Sequence, residues 1–200
     1  MMKRVLISGL LGGSLVLAGG TAASAGVQTG AQSGTQQATK PLHLRGGLTI
    51  RIPAKWNVYL TAADWTQVVT GKCDYSGRFF GPPCHSFWIL GPKALKKGTE
   101  GFAYSPAHAF YPANDVEPCP SDRKLYQHID NAVTKGLRQV GKGHKAYYRH
   151  YVARCTTAGG TTKTYFSQRE WYLPKTKILV VDQWATDNLD VILKHATWSR

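Results

Sequence analysis

Two adjacent pairs in the second half of the chain, Arg149 with His150 and Arg169 with Glu170, have the side-chain types that could move a proton and hold a phosphate. A histidine acid, a glutamate base and an arginine would serve phosphodiester cleavage, which needs proton transfer and stabilisation of developing charge. Sequence neighbours on a strand point to opposite faces, so only one member of each pair can share a site. Cross-strand salt bridging and hydrogen bonding account for the same residues without catalysis. The sequence carries no G-x-S-x-G, H-E-x-x-H, Walker-type, G-x-G-x-x-G or EF-hand signature. A small secreted hydrolase of nuclease type is therefore the alternative reading, and a non-catalytic role the main one.

The distribution of cations is more informative. Residues 131–169 contain no acid, yet Lys135, Arg138, Lys142, Lys145, Arg149, Arg154, Lys163 and Arg169 all fall there, with Tyr147, Tyr148 and Tyr151 interleaved. If Lys145, Tyr147, Arg149 and Tyr151 line one face of a strand, they present alternating charge and ring to an extended polyanion. A wall phosphate polymer, an acidic glycan and single-stranded nucleic acid all have that chemistry. Arg154 and Arg169 complete the candidate binding set. The competing reading is a solvated cationic face with tyrosines in the core. Asp115, Glu117 and Asp122 form the one local acidic cluster, beside Pro118 and Pro120, where oxygens could suit calcium. A solvated loop explains them as well, so no metal or other cofactor is assigned.

These side chains need elements to position them. Leu48, Ile50 and Ile52 alternate with Thr49 and Arg51, which suits a half-buried strand, and Pro53 interrupts it before a second strand over 56–60. Further strands are expected over 65–70 and 86–90. Residues 91–120, rich in Gly, Pro and Ala, read as a long irregular excursion carrying Phe102, Tyr104, Phe110 and Tyr111. Ser121 can cap a helix running to Gly136, with Leu125, Ile129, Ala132 and Val133 at helical spacing. Residues 145–154 and 164–173 read as a hairpin turning through Gly159 and Gly160. Residues 178–184 are apolar enough for a central strand covered on both sides. Asp187 can cap a last helix with Leu189, Val191, Ile192 and Leu193 inward and Asp190 in its first turn.

Residues 1–25 have the layout of a secretory signal: Lys3 and Arg4, an apolar run over 5–19, and an Ala-x-Ala site at Ala23, Ser24 and Ala25. Cleavage is expected before Gly26. The run is short for a membrane anchor, and Gly20 stands where a lipoprotein needs cysteine. Residues 26–40 are polar and small, as in a flexible leader, leaving a single domain over 41–200. Cys73, Cys84, Cys119 and Cys155 all follow the signal, and an oxidising compartment pairs them. Among the three possible connectivities, Cys73 with Cys84 and Cys119 with Cys155 is favoured, because the Gly- and Pro-rich stretch between the first two closes easily. The 25 Lys and Arg against 11 Asp and Glu, net +14, point to an anionic partner. Apolar residues at 42% exclude a disordered chain, and 200 residues exclude a multidomain enzyme.

The segment GLTIRIPAKWNVY, the aromatic hairpin, and the closing ILVVDQW followed by LDVILKHATW resemble the ends of PsbP-like domains of the actinobacterial secreted-protein and lipoprotein type. The resemblance covers the first and last parts of the folded region and is structural. It implies an α+β fold, a mainly antiparallel sheet sandwiched by helices, serving as a binding or accessory module. No functional residue is carried over. The expectation is thus a secreted monomer, without a spanning segment in the mature chain, acting at or outside the cell surface and recognising an anionic polymer. A partner-binding or inhibitor role through the aromatic loop at 102–111 is a further alternative.

Overall fold

The computed structural model describes residues 37–73, 84–97, 103–111 and 116–199. The expected signal, residues 26–36 of the leader, Phe102 and Asp115 lie outside the described residues. In chain order the strands and helices are β1 (Thr39–His43), β2 (Leu48–Pro53), β3 (Asn57–Ala62), β4 (Trp65–Cys73), β5 (Cys84–Leu90), α1 (Pro92–Lys97), β6 (Tyr126–Ile129), β7 (Thr134–Gln139), β8 (Lys145–Thr156), β9 (Thr162–Leu173), β10 (Ile178–Asp182), α2 (Leu189–Lys194) and β11 (Thr197–Trp198). Thr39 and Lys40, expected in the leader, instead belong to β1 and pair with Pro53 and Ile52.

The large sheet runs β3-β4-β5-β10-β9-β8, and both β6 and β7 pair with β8. Every pairing is antiparallel. The small sheet has the order β1-β2-β11. Gly160, at φ 81, lets the chain reverse between β8 and β9 where the Gly-Gly signal placed the turn. The disulfides join Cys73 to Cys84 across the β4–β5 pair and Cys119 to Cys155 beside β6.

The helix-sandwiched α+β layout is corrected by this architecture. The two α-helices among the described residues have six residues each, and strands are the dominant regular structure. The expected helix over 121–136 is the cause of the difference. Its residues form β6 and the first half of β7, two pieces of one edge strand interrupted at 130–133 and laid along the 12-residue β8. Helical spacing of Leu125, Ile129, Ala132 and Val133 carries little weight against that long unpaired strand edge, whose N–H and C=O groups need partners. Val133, expected inward, is 62% exposed, whereas Leu125 is buried against the Cys119–Cys155 pair. In α2, Leu189 and Leu193 face inward, but Val191 is largely exposed. The residue preceding this helix is Asn188 in the left-handed region, so Asp187 is not its cap.

Alternation along β8, β9 and β10 sends side chains to two faces. The core face is closed by β2 and α2: Ile50, Ile52, Leu189 and Leu193 pack on Phe87, Ala146, Trp171, Ile178 and Val180. Full burial of each large aliphatic or aromatic side chain here contributes about 1.5–3 kcal/mol. The opposite, loop face is covered in part by α1 and residues 103–111, with Ala94, Leu95 and Phe110 on Trp65, Trp88, Leu179 and Val181. The β10 strand lies under both layers, as its continuous apolar sequence requires.

Candidate ligand-binding site

On β8 the four residues Lys145, Tyr147, Arg149 and Tyr151 alternate onto the loop face. Register places Gln139, Leu137 and Lys135 of β7 opposite Lys145, Tyr147 and Arg149. On the other flank β9 sets Tyr172, Glu170 and Gln168 opposite Tyr147, Arg149 and Tyr151. A glycine fixes the turn that begins this hairpin: a Cβ on Gly141, at φ +75, would lie 2.5 Å from the Ala196 carbonyl and 2.8 Å from the Trp198 ring. The Gly141 N–H donates to the Leu193 carbonyl at 3.0 Å and Trp198 Nε1 to the Val140 carbonyl at 2.8 Å. The turn is thereby tied to α2 and β11.

Exposure falls along the strand. Lys145 is exposed, Tyr147 is 50% exposed, Arg149 is half-buried, and Tyr151 is only 3% exposed. A cavity of about 470 Å³ opens at the first end, where Lys145, Tyr147 and Leu137 meet Lys175 and a Trp198 ring stacked on His144 at 4.2 Å. A second, of about 510 Å³, opens at the other end between β6, the 107–111 segment and Tyr151. Four residues of strand separate Tyr147 from Tyr151, about 14 Å. Lys135, in the wall of the second cavity, stands directly opposite Arg149, two like charges, an arrangement that costs stability when nothing neutralises it.

Beneath the 103–111 segment runs a chain of buried polar groups. Glu170 accepts the Phe110 N–H at 2.6 Å, Gln168 Nε2 at 2.8 Å and the Tyr104 hydroxyl at 3.3 Å. Gln168 Nε2 also donates to the Phe110 carbonyl, and its Oε1 accepts from Gln183 at 2.6 Å. Desolvation raises the Glu170 carboxyl above the ordinary range, opposed by the Phe110 N–H, Gln168, Tyr104 and Arg149. Desolvation, reinforced by Glu170, also raises the Tyr151 hydroxyl, so it stays a proton donor. Tyr151 Oη and Arg149 Nη1 are both buried without a hydrogen-bond partner.

The chain was compared with protein families, with curated proteins and with solved structures. It matches none of them.

The remaining candidates separate from this strip. Arg154 and Arg169 point to the core face: Arg154 pairs with Asp130 at 3.1 Å, and Arg169 Nε donates to the buried Asp182 at 2.8 Å. His150 lies on that face too, with Nε2 3.1 Å from Ser167 Oγ, so the sheet itself stands between His150 and Glu170. Tyr104 and Phe110 of the aromatic loop turn inward onto Trp65 and Tyr172. Glu117 is buried with an unpartnered Oε2, while Asp122 Oδ1 caps the Lys124 N–H at 2.9 Å. Among the described residues no three His, Cys, Asp or Glu side chains gather as a metal site would need. Lys135 was hidden by the expected helix, and Leu137 and Gln139 fell between the expected elements. The Gly141-Lys142-Gly143 turn signal before a strand of known alternation could have revealed them as a hairpin partner.

Proposed function

We propose that the protein is a secreted, non-catalytic module that binds an extended anionic polymer along the loop face of β7 and β8. One observation carries this reading: a strip of Lys135, Leu137, Lys145, Tyr147 and Arg149, on two strands that contain no acid, links the two cavities. Lys135 and Lys145 form no ion pair among the described residues, so their charges are available to a ligand. Tyr147 and Leu137 supply ring and apolar surface between them. The placement of His150 and Glu170 on opposite faces favours binding over turnover, since proton donor and acceptor do not converge. Export is supported by the signal-like start and two disulfides.

Titration with polygalacturonate and with polyphosphate, from about 50 to about 200 mM salt, tests the reading. Affinity is expected to fall linearly with salt on logarithmic axes, and Lys145→Ala is expected to reduce the slope by roughly 0.7. Tyr147→Ala is expected to weaken binding by about tenfold, the loss of one stacked ring. No retention of either polymer at low salt, or an affinity indifferent to salt, would overturn it.

A further inference from the structure

The cavity at the first end of the strip, between β7, β8 and the turn that joins β9 to β10, combines positive charge with reachable apolar surface. We propose that it is a subsite for one uronic acid unit, which makes the polymer an acidic glycan rather than a phosphate chain or a nucleic acid. The proposal rests on the polymer-binding reading above and names the class of polymer. Lys145 of β8 and Lys175 of the β9–β10 turn both line the cavity, and no acid does. Both lysines are exposed, and neither forms an ion pair among the described residues. A cleft lined by one sign of charge concentrates the opposite sign, so the occupant carries an anionic group.

The same walls offer apolar surface. Leu137 is 52% exposed and Tyr147 50% exposed, and Pro174 is exposed in the same cavity. A bare phosphate chain has nothing apolar to set against them, whereas a pyranose ring presents a face of C–H groups to an aromatic ring. Single-stranded nucleic acid asks instead for successive rings on which successive bases stack. The strip has one tyrosine within reach, because Tyr151 is 3% exposed, and Trp198 in the cavity wall is half-buried with His144 stacked on it at 4.2 Å. The walls are also braced. Trp198 Nε1 donates to the Val140 carbonyl at 2.8 Å, and Thr176, next to Lys175, packs so closely on Gly46 that a Cβ there would lie 3.0 Å from the Thr176 Cγ2. A volume of about 470 Å³ falls within the range of small-molecule sites and has room for a sugar ring.

Calorimetry at low salt on the full exported chain, with trigalacturonate, its neutral methyl ester and tripolyphosphate, tests the assignment. Trigalacturonate is expected to bind about tenfold more tightly than either of the others, since only it has both charge and ring. Tyr147→Ala is expected to weaken trigalacturonate about tenfold and to leave tripolyphosphate unchanged. Lys175→Ala, in an exposed turn outside β7 and β8, is expected to weaken trigalacturonate about tenfold, the loss of a hydrogen bond between charged groups, without lowering the Tm. Lys163→Ala removes the same charge from the exposed start of β9 and leaves affinity unchanged. Equal binding of the acid and its ester, tripolyphosphate at least as tight as trigalacturonate, or Lys175→Ala indistinguishable from Lys163→Ala overturns the subsite. Retention of polygalacturonate and polyphosphate in that event leaves the polymer reading standing, and retention of neither overturns that reading with it.

Discussion

Across the β8–β9 pair, His150 stands opposite Arg169 on one face and Arg149 opposite Glu170 on the other, and the two arginines meet very different partners. Arg169 donates to Asp182 and, at 2.7 Å, to the Thr186 carbonyl; Asp182 in turn accepts from the Thr186 hydroxyl at 2.9 Å and the Trp184 N–H at 3.2 Å. Every member is satisfied, and the network fastens the end of β10 to the segment that enters α2. Arg149 forms no ion pair among the described residues, although Glu170 lies across from it, and one of its nitrogens is buried and idle. A closed polar network specifies the fold, whereas a partly satisfied one carries an unmet polar group that costs stability.

That contrast breaks most readily at Asp182. Asp182→Ala leaves a partly buried guanidinium without its carboxylate and is expected to destabilise the protein by about 3–5 kcal/mol, read from urea unfolding. Arg154→Ala, which breaks only the exposed pair with Asp130, should cost less than about 1 kcal/mol. A similar loss at both positions would show that the core-face network has no special structural weight.

A smaller effect sharpens the contrast through pH. Burial pushes the Glu117 carboxyl up to about 8 from 4.5, and burial raises Glu170 as well. The folded state therefore holds protons that the unfolded chain releases. Stability is full below about pH 4.5 and is lost as pH rises toward about 8, at no more than about 1.4 kcal/mol per pH unit for Glu117. Glu117→Gln is expected to remove most of this slope in unfolding measurements between those values. An unchanged slope would mean that the carboxylate is satisfied when charged.

The legible parts of the sequence were those fixed by local chemistry. Strict alternation at Leu48, Ile50 and Ile52, the Gly159-Gly160 turn and the apolar run beginning at Ile178 each announced a strand or hairpin that the structure contains. Placement of Lys145, Tyr147, Arg149 and Tyr151 on one face followed from the same two-residue period. The β6–β7 edge was not legible, because Leu125 to Val133 satisfy helical spacing and only the demand of β8 for a partner decides otherwise. The pairing of Arg169 with Asp182 was equally hidden, since it depends on β10 lying beside β9. Loss of Arg154 and Arg169 from the candidate strip follows from that face alternation once β8 and β9 are in register.

Amide mapping by nuclear magnetic resonance during titration with polygalacturonate at low salt tests the central claim most directly. The account predicts shifts concentrated in β7, the loop-face positions of β8 and residues 107–111, reversed by added salt, with the Arg169–Asp182 region silent. Shifts spread evenly over all lysine-bearing surfaces, or centred on Arg154 and the core face, would contradict it.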